Sequence, residues 1–317
     1  KMLSGDTTDA GYPLNLVRYS PDKTFNPEKM HSENKVIIFV NNAIHPGEPD
    51  GVDASMMLLR DLASGKIKSP SNVVLAVIPV YNIGGALNRS GFSRVNQNGP
   101  ESYGFRGNAE NLDLNRDFIK ADSKNAFAFE KIFQWLKPDV FIDNHVSDGA
   151  DYQYTMTLLT TQHNKLGGQL GVFLHDIFEP ALYKSMEEKN WPMTPYVNFE
   201  DGNADKGWSA YYESPRYSSG YTTLFQTIGF TAETHMLKPY DQRVYATYAL
   251  MQCFIDFTSR NSAIIKATRE QAKQSVKTQS KFAISWKLDK SKFATINYKG
   301  YTAGYKPSDV SGHSRLF

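Results

Sequence analysis

Four short apolar runs constrain the fold of this chain more than any other feature of its sequence. They span 36–40, 73–80, 139–143 and 227–232, and most of their residues are aliphatic or aromatic. Near-continuous apolar runs of this length are typical of strands that are covered on both faces of a sheet. We therefore expect these four segments to form the centre of a buried sheet.

Helical patterns lie between the apolar runs. One pattern extends from Val52 to Leu62 and ends at Gly65, a second precedes Pro138, and a third covers 241–257. Glycine just after a helix and proline shortly beyond it are common stop signals. Strands that alternate with helices predict an α/β protein, in which helices cover both faces of the sheet.

Charge and composition exclude several classes of function. The 317 residues include 35 basic and 33 acidic side chains, which give a net charge of +2. No stretch is basic enough to predict a nucleic-acid partner, and no apolar run is long enough to span a membrane. The single cysteine, Cys253, lies in a helical apolar pattern. We expect it in the core, where cysteine behaves as a small apolar residue.

The composition and the apolar pattern of the chain change after about residue 267. The segment "TREQAKQSVKTQSK" (268–281) is polar and lacks an apolar stripe, whereas "KFAISWKL" and "KFATINYKGYT" resemble strands on either side of the turn "DKSK". We predict a large domain over 1–267 and the start of a β-rich appendage over 268–317.

Polar side chains that suit a metal follow two of the predicted strands. His45 and Glu48 come after the first apolar run, in "NNAIHPGEPDG", and His145 follows the third run, in "NHVSDG". Sites in open α/β sheets gather at the carboxyl ends of strands, so these three side chains should meet. Two histidines and one glutamate form a known ligand set for a zinc ion that activates water.

A lone His-x-x-Glu is a weak pattern, and two polar loop residues are the simpler interpretation of it. Two further features favour the metal site. The carboxylate-rich motif "NLDLNRDF" lies between the two histidines, and the fourth run ends in another carboxylate, Glu233. Packing alone does not explain polar residues at the ends of so many buried strands.

The order of these motifs resembles the zinc carboxypeptidase family, the M14 or carboxypeptidase A-like metallopeptidases. His-x-x-Glu, Asp-x-Asn-Arg-x-Phe, a strand-end His and a strand-end Glu follow one another over residues 10–260. "YGFRGNAENLDLNRDF" is especially similar to the bacterial branch. The resemblance implies a three-layer α/β/α sandwich with a mixed, mostly parallel eight-stranded sheet, and one Zn²⁺ per chain.

The resemblance also implies the roles of the residues around the metal. His45, Glu48 and His145 would hold the zinc ion. Glu233 would be the general base and afterwards the general acid. Asp113 would accept a hydrogen bond from a ligand histidine and so fix its tautomer.

Substrate contacts follow from the same resemblance. Asn115 and Arg116 would bind the terminal carboxylate of a peptide, because a guanidinium can meet a carboxylate through two parallel hydrogen bonds. Arg106 would stabilise the oxyanion of the tetrahedral intermediate. Arg89 and Arg94 compete for that last role.

A mobile tyrosine usually covers the substrate in this family, and here the choice stays open. The stretch "YYESPRYSSGYTTLFQ" offers Tyr211, Tyr212, Tyr217 and Tyr221. Tyr211 has the spacing from Glu233 that the digestive enzymes show. We include Tyr211 and Tyr221 among the candidate substrate contacts. No residue of the stretch identifies a pocket for the substrate's terminal side chain.

Three functions from different classes are compatible with these residues. The first is an exopeptidase that releases one C-terminal residue. The second is an amidase of cell-wall peptides or a deacylase of N-acyl amino acids on the same fold. The third is a non-catalytic binding module, which the presence of Glu233 disfavours. The expected partner is a peptide or a small acyl-amino-acid substrate, and the oligomeric state is open.

The two ends of the sequence give further expectations. The first residue is Lys1 rather than Met, as expected when a signal peptide has been removed or when the sequence starts at an arbitrary boundary. We expect a secreted or periplasmic bacterial protein. The ending "SGHSRLF" carries no stop signal, so we expect that the native chain can continue past Phe317.

Overall fold

The computed structural model describes residues 1–148, 151–199 and 204–317. Twelve strands are found in these ranges. They are β1 (Met2–Thr7), β2 (Pro13–Tyr19), β3 (Val36–Asn42), β4 (Val73–Ile78), β5 (Arg89–Ser90), β6 (Tyr103–Gly104), β7 (Val140–Ser147), β8 (Met156–Thr160), β9 (Met193–Pro195), β10 (Ile228–His235), β11 (Tyr305–Pro307) and β12 (Ser314–Leu316).

The helices alternate with these strands. The α-helices are α1 (Pro27–Ser32), α2 (Asp50–Ala63), α3 (Ile83–Leu87), α4 (Lys124–Leu136), α5 (His163–Leu166), α6 (Gly168–Phe173), α7 (Glu179–Glu188), α8 (Ser218–Thr222), α9 (Tyr240–Arg260) and α10 (Ser262–Thr278). Leu114–Arg116 and Thr223–Phe225 form 3₁₀ turns, and Leu174–Phe178 is a π-helical segment between α6 and α7.

One mixed sheet of eight strands runs through the molecule in the order β1-β2-β4-β3-β7-β10-β8-β9. The four central strands β4, β3, β7 and β10 pair in parallel, whereas β2 and β8 run antiparallel to the central strands beside them. The four predicted strands are these central ones. The predicted mixed, mostly parallel sheet is thereby confirmed.

Both faces of the sheet are buried, as the apolar runs predict. In β3, Val36, Ile38 and Val40 pack into one apolar cluster, and Ile37 and Phe39 pack into a second cluster on the opposite face. Helices α2, α6, α7 and α9 contribute to the first cluster, while α1 and α4 contribute to the second. Because successive side chains of a strand point to opposite faces, helices on both sides are required to cover them.

Local sequence signals fix where the helices begin and end. The Ser123 side chain accepts a hydrogen bond from the Ala126 N–H at the start of α4. The same helix ends at Lys137, which adopts a left-handed conformation (φ +48°) before Pro138. Helix α2 stops just before Gly65, which has φ +75°. Such left-handed residues commonly close a helix.

The C-terminal part differs from its prediction. Residues 281–288 and 292–302, predicted as strands, have no strand structure, and the described strands beyond α10 are the short pair β11 and β12. Most side chains of 281–302 are exposed. A strand requires a paired neighbour and a buried face, and the described chain provides neither to these two segments.

Helix α10 crosses the predicted boundary between 267 and 268. Its Arg269 is buried, binds the Asp139 carboxylate and donates to the Gln226 carbonyl at 2.7 Å. This helix is therefore attached to the sheet by buried polar contacts. The division of the chain into two domains stays a prediction. None of the described helices combines the length and the apolar character that a membrane crossing requires.

Candidate metal centre and substrate cavity

The ends of β3 and β7 bring the three predicted metal ligands together. The two strands are parallel neighbours, so the chain leaves β3 beside His145 on β7. A turn then returns Glu48 to the strand ends, because its backbone N–H donates to the His45 carbonyl at 2.9 Å. Glycine is needed at position 51, where a Cβ would lie 2.5 Å from the Asn144 Cβ. Helix α2 can thus begin in direct contact with β7.

The geometry of this cluster fits a metal ion. His45, Glu48 and His145 are buried, and their ligand atoms lie within 4.8 Å of one another. The Nδ1 atoms of His45 and His145 are 3.2 and 3.1 Å from the two carboxylate oxygens of Glu48. Ligand atoms bound about 2.0–2.1 Å from a tetrahedral zinc ion would be about 3.3 Å apart. Although His45 Nδ1 lies close to Glu48 Oε1, it makes no hydrogen bond with a described residue, so this buried nitrogen is available to a metal ion.

Asp113 orients His45 from behind. Its Oδ1 lies 2.9 Å from His45 Nε2, so Nδ1 is the ring nitrogen that faces Glu48. Arg106 holds Asp113 in place through its Nε and Nη2 atoms, at 3.1 and 3.0 Å. Burial opposes ionisation of Asp113, but the hydrogen bond with His45 and the charge of Arg106 hold its pKa well below the usual range. Asp113 thus lies on the side of the His45 ring that faces away from Glu48.

A second carboxylate, Asp143, stands behind His145 and is absent from the sequence prediction. Its Oδ2 lies 3.3 Å from His145 Nε2, and its Oδ1 accepts a hydrogen bond from Asn41 at 3.0 Å. Residues two apart in a strand share a face of the sheet. The pattern Asp-Asn-His at the end of β7 is the signal that could have identified Asp143.

Two arginines, Arg94 and Arg106, lie beside the Glu48 carboxylate. Arg94 donates to Glu48 Oε1 at 2.9 Å and to the Val146 carbonyl at 2.8 Å. Arg106 is half exposed, and its Nη1 lies 3.7 Å from Glu48 Oε1. Arg89 is exposed, binds the Ser102 carbonyl and does not line the cavity. The structure therefore leaves Arg106 and Arg94 as the arginines beside the cluster.

A cavity of about 410 Å³ opens on the cluster. Glu233 lies on β10 opposite His145 in the parallel register. Asn115 and Arg116 enter from the 3₁₀ turn, and the Arg116 guanidinium lies 4.5 Å from the centre of the Tyr217 ring. The remaining lining residues are His45, Glu48, Arg94, Arg106, Val146, Ser147, Asp148, Leu159, Tyr196, Tyr211, Glu213 and Thr231.

Glu233 has the electrostatic environment of a reactive carboxyl group. Its side chain is partly open to the cavity. Desolvation by the surrounding protein raises its pKa to about 8, with His145 opposing that shift and Glu48 adding to it. Carboxyl groups with strongly perturbed pKa values are concentrated in functional sites.

Among the tyrosine candidates, the structure distinguishes residues that line the cavity from a residue that is buried in the core. Tyr211 and Tyr217 line the cavity. Tyr221 does not, and it is 3% exposed in the core, with its ring centre 5.8 Å from Phe118 and 5.5 Å from Phe133. The predicted substrate contact of Tyr221 is therefore corrected to a packing role. Helix α8 turns this side chain towards the apolar cluster that α4 covers.

Several lining residues have no counterpart in the sequence prediction. Leu159 and Thr231 face the cavity from β8 and β10, and Tyr196 and Glu213 reach it from loops. Antiparallel β8 is not among the predicted strands, and loop residues follow no periodic pattern. A lone glutamate among the tyrosines of "YYESPRY" is the one sequence signal that could have marked Glu213.

Comparison with known proteins shows similarity to carboxypeptidases. No family model matches the chain. Among curated proteins, it is 22% identical over 207 residues to Carboxypeptidase 2 of Trichophyton rubrum. That match covers 62% of this chain and 35% of the relative, so the chain spans about a third of the relative's length. Because this relative is fungal, the similarity to the bacterial branch stays a prediction.

Solved structures share the fold at low sequence identity. A metallo-carboxypeptidase from Burkholderia cenocepacia superposes with a TM-score of 0.58 at 15% identity, over 80% of this chain and 63% of that one. Carboxypeptidase A from Helicoverpa armigera gives a TM-score of 0.56 at 14% identity, over 86% and 69% of the two chains. These similarities show that the chain has the carboxypeptidase-like α/β fold.

Proposed function

We propose that the chain is a zinc-dependent carboxypeptidase that releases one residue from the C-terminus of a peptide. One observation carries the proposal: the His45–Glu48–His145 cluster, Glu233 and Arg116 all face one cavity. Peptide hydrolysis requires an activated water and a proton for the leaving amine. An exopeptidase must also recognise the end of the chain. The cavity offers residues suited to each task.

His45, Glu48 and His145 would hold the metal through two imidazole nitrogens and one carboxylate. Three protein ligands leave one coordination position free, as catalytic zinc sites require. A bound zinc ion would supply the activation of water and the polarisation of the scissile carbonyl. Asp113 and Asp143 would keep the two imidazole rings in the orientation that presents Nδ1.

Glu233 would accept a proton from the attacking water and deliver it to the departing amine. Its position opposite His145 supports this role because it places the carboxyl group on the cavity wall beside the cluster. A base must be ionised, and the raised pKa of Glu233 works against ionisation in the isolated protein. Positive charge at the neighbouring cluster favours the carboxylate.

Arg116 and Asn115 would hold the terminal carboxylate of the substrate. The ring of Tyr217 supports the Arg116 guanidinium, and Nη1 of Arg116 is fixed by the Asn115 carbonyl at 2.8 Å. Arg106 would stabilise the oxyanion, because it has donor capacity left beside its contacts with Asp113. By contrast, Arg94 is engaged by Glu48, Val146 and Gln97.

A peptide and its C-terminally amidated twin test this function. Amidation removes the charge that Arg116 would bind and leaves its guanidinium unpaired, at a cost of about 1–3 kcal/mol. We expect the metal-loaded enzyme to cleave the amidated twin about ten- to hundredfold more slowly. Mass spectrometry of the products gives both the rate and the site of cleavage.

Two variants sharpen the comparison of these peptides. Arg116→Ala should lose most of the discrimination, whereas Arg89→Ala, which removes an exposed arginine outside the cavity, should keep it. Equal cleavage of the two peptides by the wild-type enzyme would contradict the exopeptidase assignment. It would favour the amidase or deacylase alternative, in which the recognised carboxylate need not be a peptide terminus.

A further inference from the structure

One carboxylate of the cavity, Glu213, has an oxygen atom that no described residue contacts through a hydrogen bond. Glu213 lines the cavity and is 9% exposed. Its Oε2 finds no hydrogen-bond partner in the part of the chain that the structure describes. A buried carboxylate without a partner is unfavourable. A carboxylate in such a place therefore suits a positively charged or hydrogen-bonding group that the ligand supplies.

The loop that carries Glu213 is fixed by backbone contacts. A Cβ at Gly220 would lie 2.1 Å from the Ser214 carbonyl oxygen, so the loop packs backbone against backbone on α8. The Pro215 carbonyl accepts a hydrogen bond from the Ile119 N–H at 3.1 Å. The position of Glu213 is thereby tied to the segment that directly follows the 3₁₀ turn.

Nearby cations of the protein are held by aromatic rings. The Arg116 guanidinium lies 4.5 Å from the centre of the Tyr217 ring, and Lys165 Nζ lies 4.0 Å from the centre of the Tyr212 ring. Burial raises the pKa of Glu213 to about 7, although both cations oppose that shift. A cation that enters the cavity would pair with Glu213 and favour its ionised form.

The surroundings of Glu213 suit a long side chain that ends in hydrogen-bond donors. Thr231 Oγ1 is another buried atom without a partner among the described residues, and Thr231 lines the same cavity. Leu159 adds an apolar surface for methylene groups. Because Arg116 and Glu213 line the same cavity, a substrate residue bound there would be exposed to both side chains.

We propose that Glu213 makes the cavity selective for a C-terminal residue whose side chain ends in an amine or a guanidinium. The inference rests on the proposed carboxypeptidase function, in which Arg116 holds the carboxylate of that same residue. Charge-assisted hydrogen bonds between the cation and Glu213 would be among the stronger polar contacts of the complex. The Thr231 hydroxyl would accept a further hydrogen bond from the same group.

Two peptides that differ only in their last residue test the selectivity. One ends in lysine, and the other ends in norleucine, which keeps the four-carbon chain and lacks the amine. We expect kcat/KM of the metal-loaded wild-type enzyme to be at least about tenfold higher for the lysine peptide. Glu213→Gln should lower kcat/KM for the lysine peptide and leave the norleucine peptide almost unchanged.

Retained cleavage of the norleucine peptide also shows that the Glu213→Gln protein is folded. Glu110→Gln, which removes an exposed carboxylate outside the cavity, should keep the wild-type preference. A wild-type enzyme without preference for lysine would overturn the inference. So would a Glu213→Gln variant that keeps the full preference.

Binding measurements separate this inference from the proposed function. Calorimetry with the Glu233→Gln protein reports the Kd of both peptides without turnover. If the wild-type enzyme cleaves both peptides equally well, the carboxypeptidase function stands and the role of Glu213 fails. If neither peptide is cleaved but the lysine peptide binds at least about tenfold more tightly, the role of Glu213 stands and the proposed function fails.

Discussion

Replacing Glu233 by Gln should lower the turnover of a cleavable peptide by at least about 10²–10⁴-fold, the range typical of a lost general base. Glutamine keeps the shape of the side chain but cannot take a proton from water. Because Glu233 is not one of the three clustered ligands, the variant should retain its metal. Turnover and metal content, measured on the same preparation, check the two halves of this prediction.

Glu110→Gln is the matched control, since it removes a carboxylate that is exposed and outside the cavity. It should behave like the wild-type protein in both measurements. A Glu233→Gln enzyme with a near-wild-type rate would show that Glu233 is not the base. Loss of both metal and activity would show instead that Glu233 supports the metal cluster.

Replacing Arg243 by Met should reduce the free energy of unfolding by about 3–5 kcal/mol, as is usual when one partner of a buried ion pair is removed. Arg243 is fully buried, and its Nε donates to Asp50 Oδ2 at 2.8 Å. It also donates to the carbonyls of Asn98, Met236 and Gly99. Methionine would remove all of these hydrogen bonds and leave the buried Asp50 carboxylate without its cationic partner. Urea unfolding followed by circular dichroism measures the change.

Arg260→Met provides the comparison on the same helix. Arg260 is exposed near the end of α9, and its Nε donates to the Asp256 carbonyl in its own helix, at 3.2 Å. An exposed substitution of this kind should change stability by less than about 0.5 kcal/mol. Equal effects of the two substitutions would show that the buried ion pair does not stabilise the fold.

The centre of the fold is predictable from the sequence because its strands are buried on both faces. In β3 every position from Val36 to Asn42 is buried, and its first five residues form an unbroken apolar run in the sequence. The outer strand β2 alternates between buried and partly exposed positions. Such strands carry a weaker signal, and β1, β2, β8 and β9 are absent from the prediction.

The proximity of His45, Glu48 and His145 is predictable because parallel strands end at the same edge of the sheet. His45 and Glu48 follow β3, and His145 lies near the end of its parallel neighbour β7, so the sheet brings the three side chains together. The cavity wall is harder to predict, because Glu213 reaches it from a loop whose position depends on tertiary contacts. Glu213 is a cavity residue that the prediction missed, whereas Tyr221 is a core residue that the prediction placed in the site. Its sequence neighbourhood is rich in tyrosines, and only packing shows that its ring belongs to the core.

The C-terminal part shows where a local pattern misleads. The polar segment after residue 267 continues α10, since a few buried contacts, such as those of Arg269, hold a helix that has little apolar surface. The alternating apolar residues of 281–288 predict a strand. Alternation alone does not provide a neighbouring strand, and the described structure shows no pairing there.

Metal analysis of the purified protein tests the central claim most directly. We predict about one zinc ion per chain in the wild-type protein and almost none in a His45→Ala, His145→Ala double variant, because only Glu48 would remain as a ligand. A His163→Ala, His175→Ala double variant is the control, since it removes two stacked histidines far from the cluster in sequence and outside the cavity. It should keep the full zinc content. A complete equivalent of zinc in the His45→Ala, His145→Ala protein would contradict the proposed metal centre.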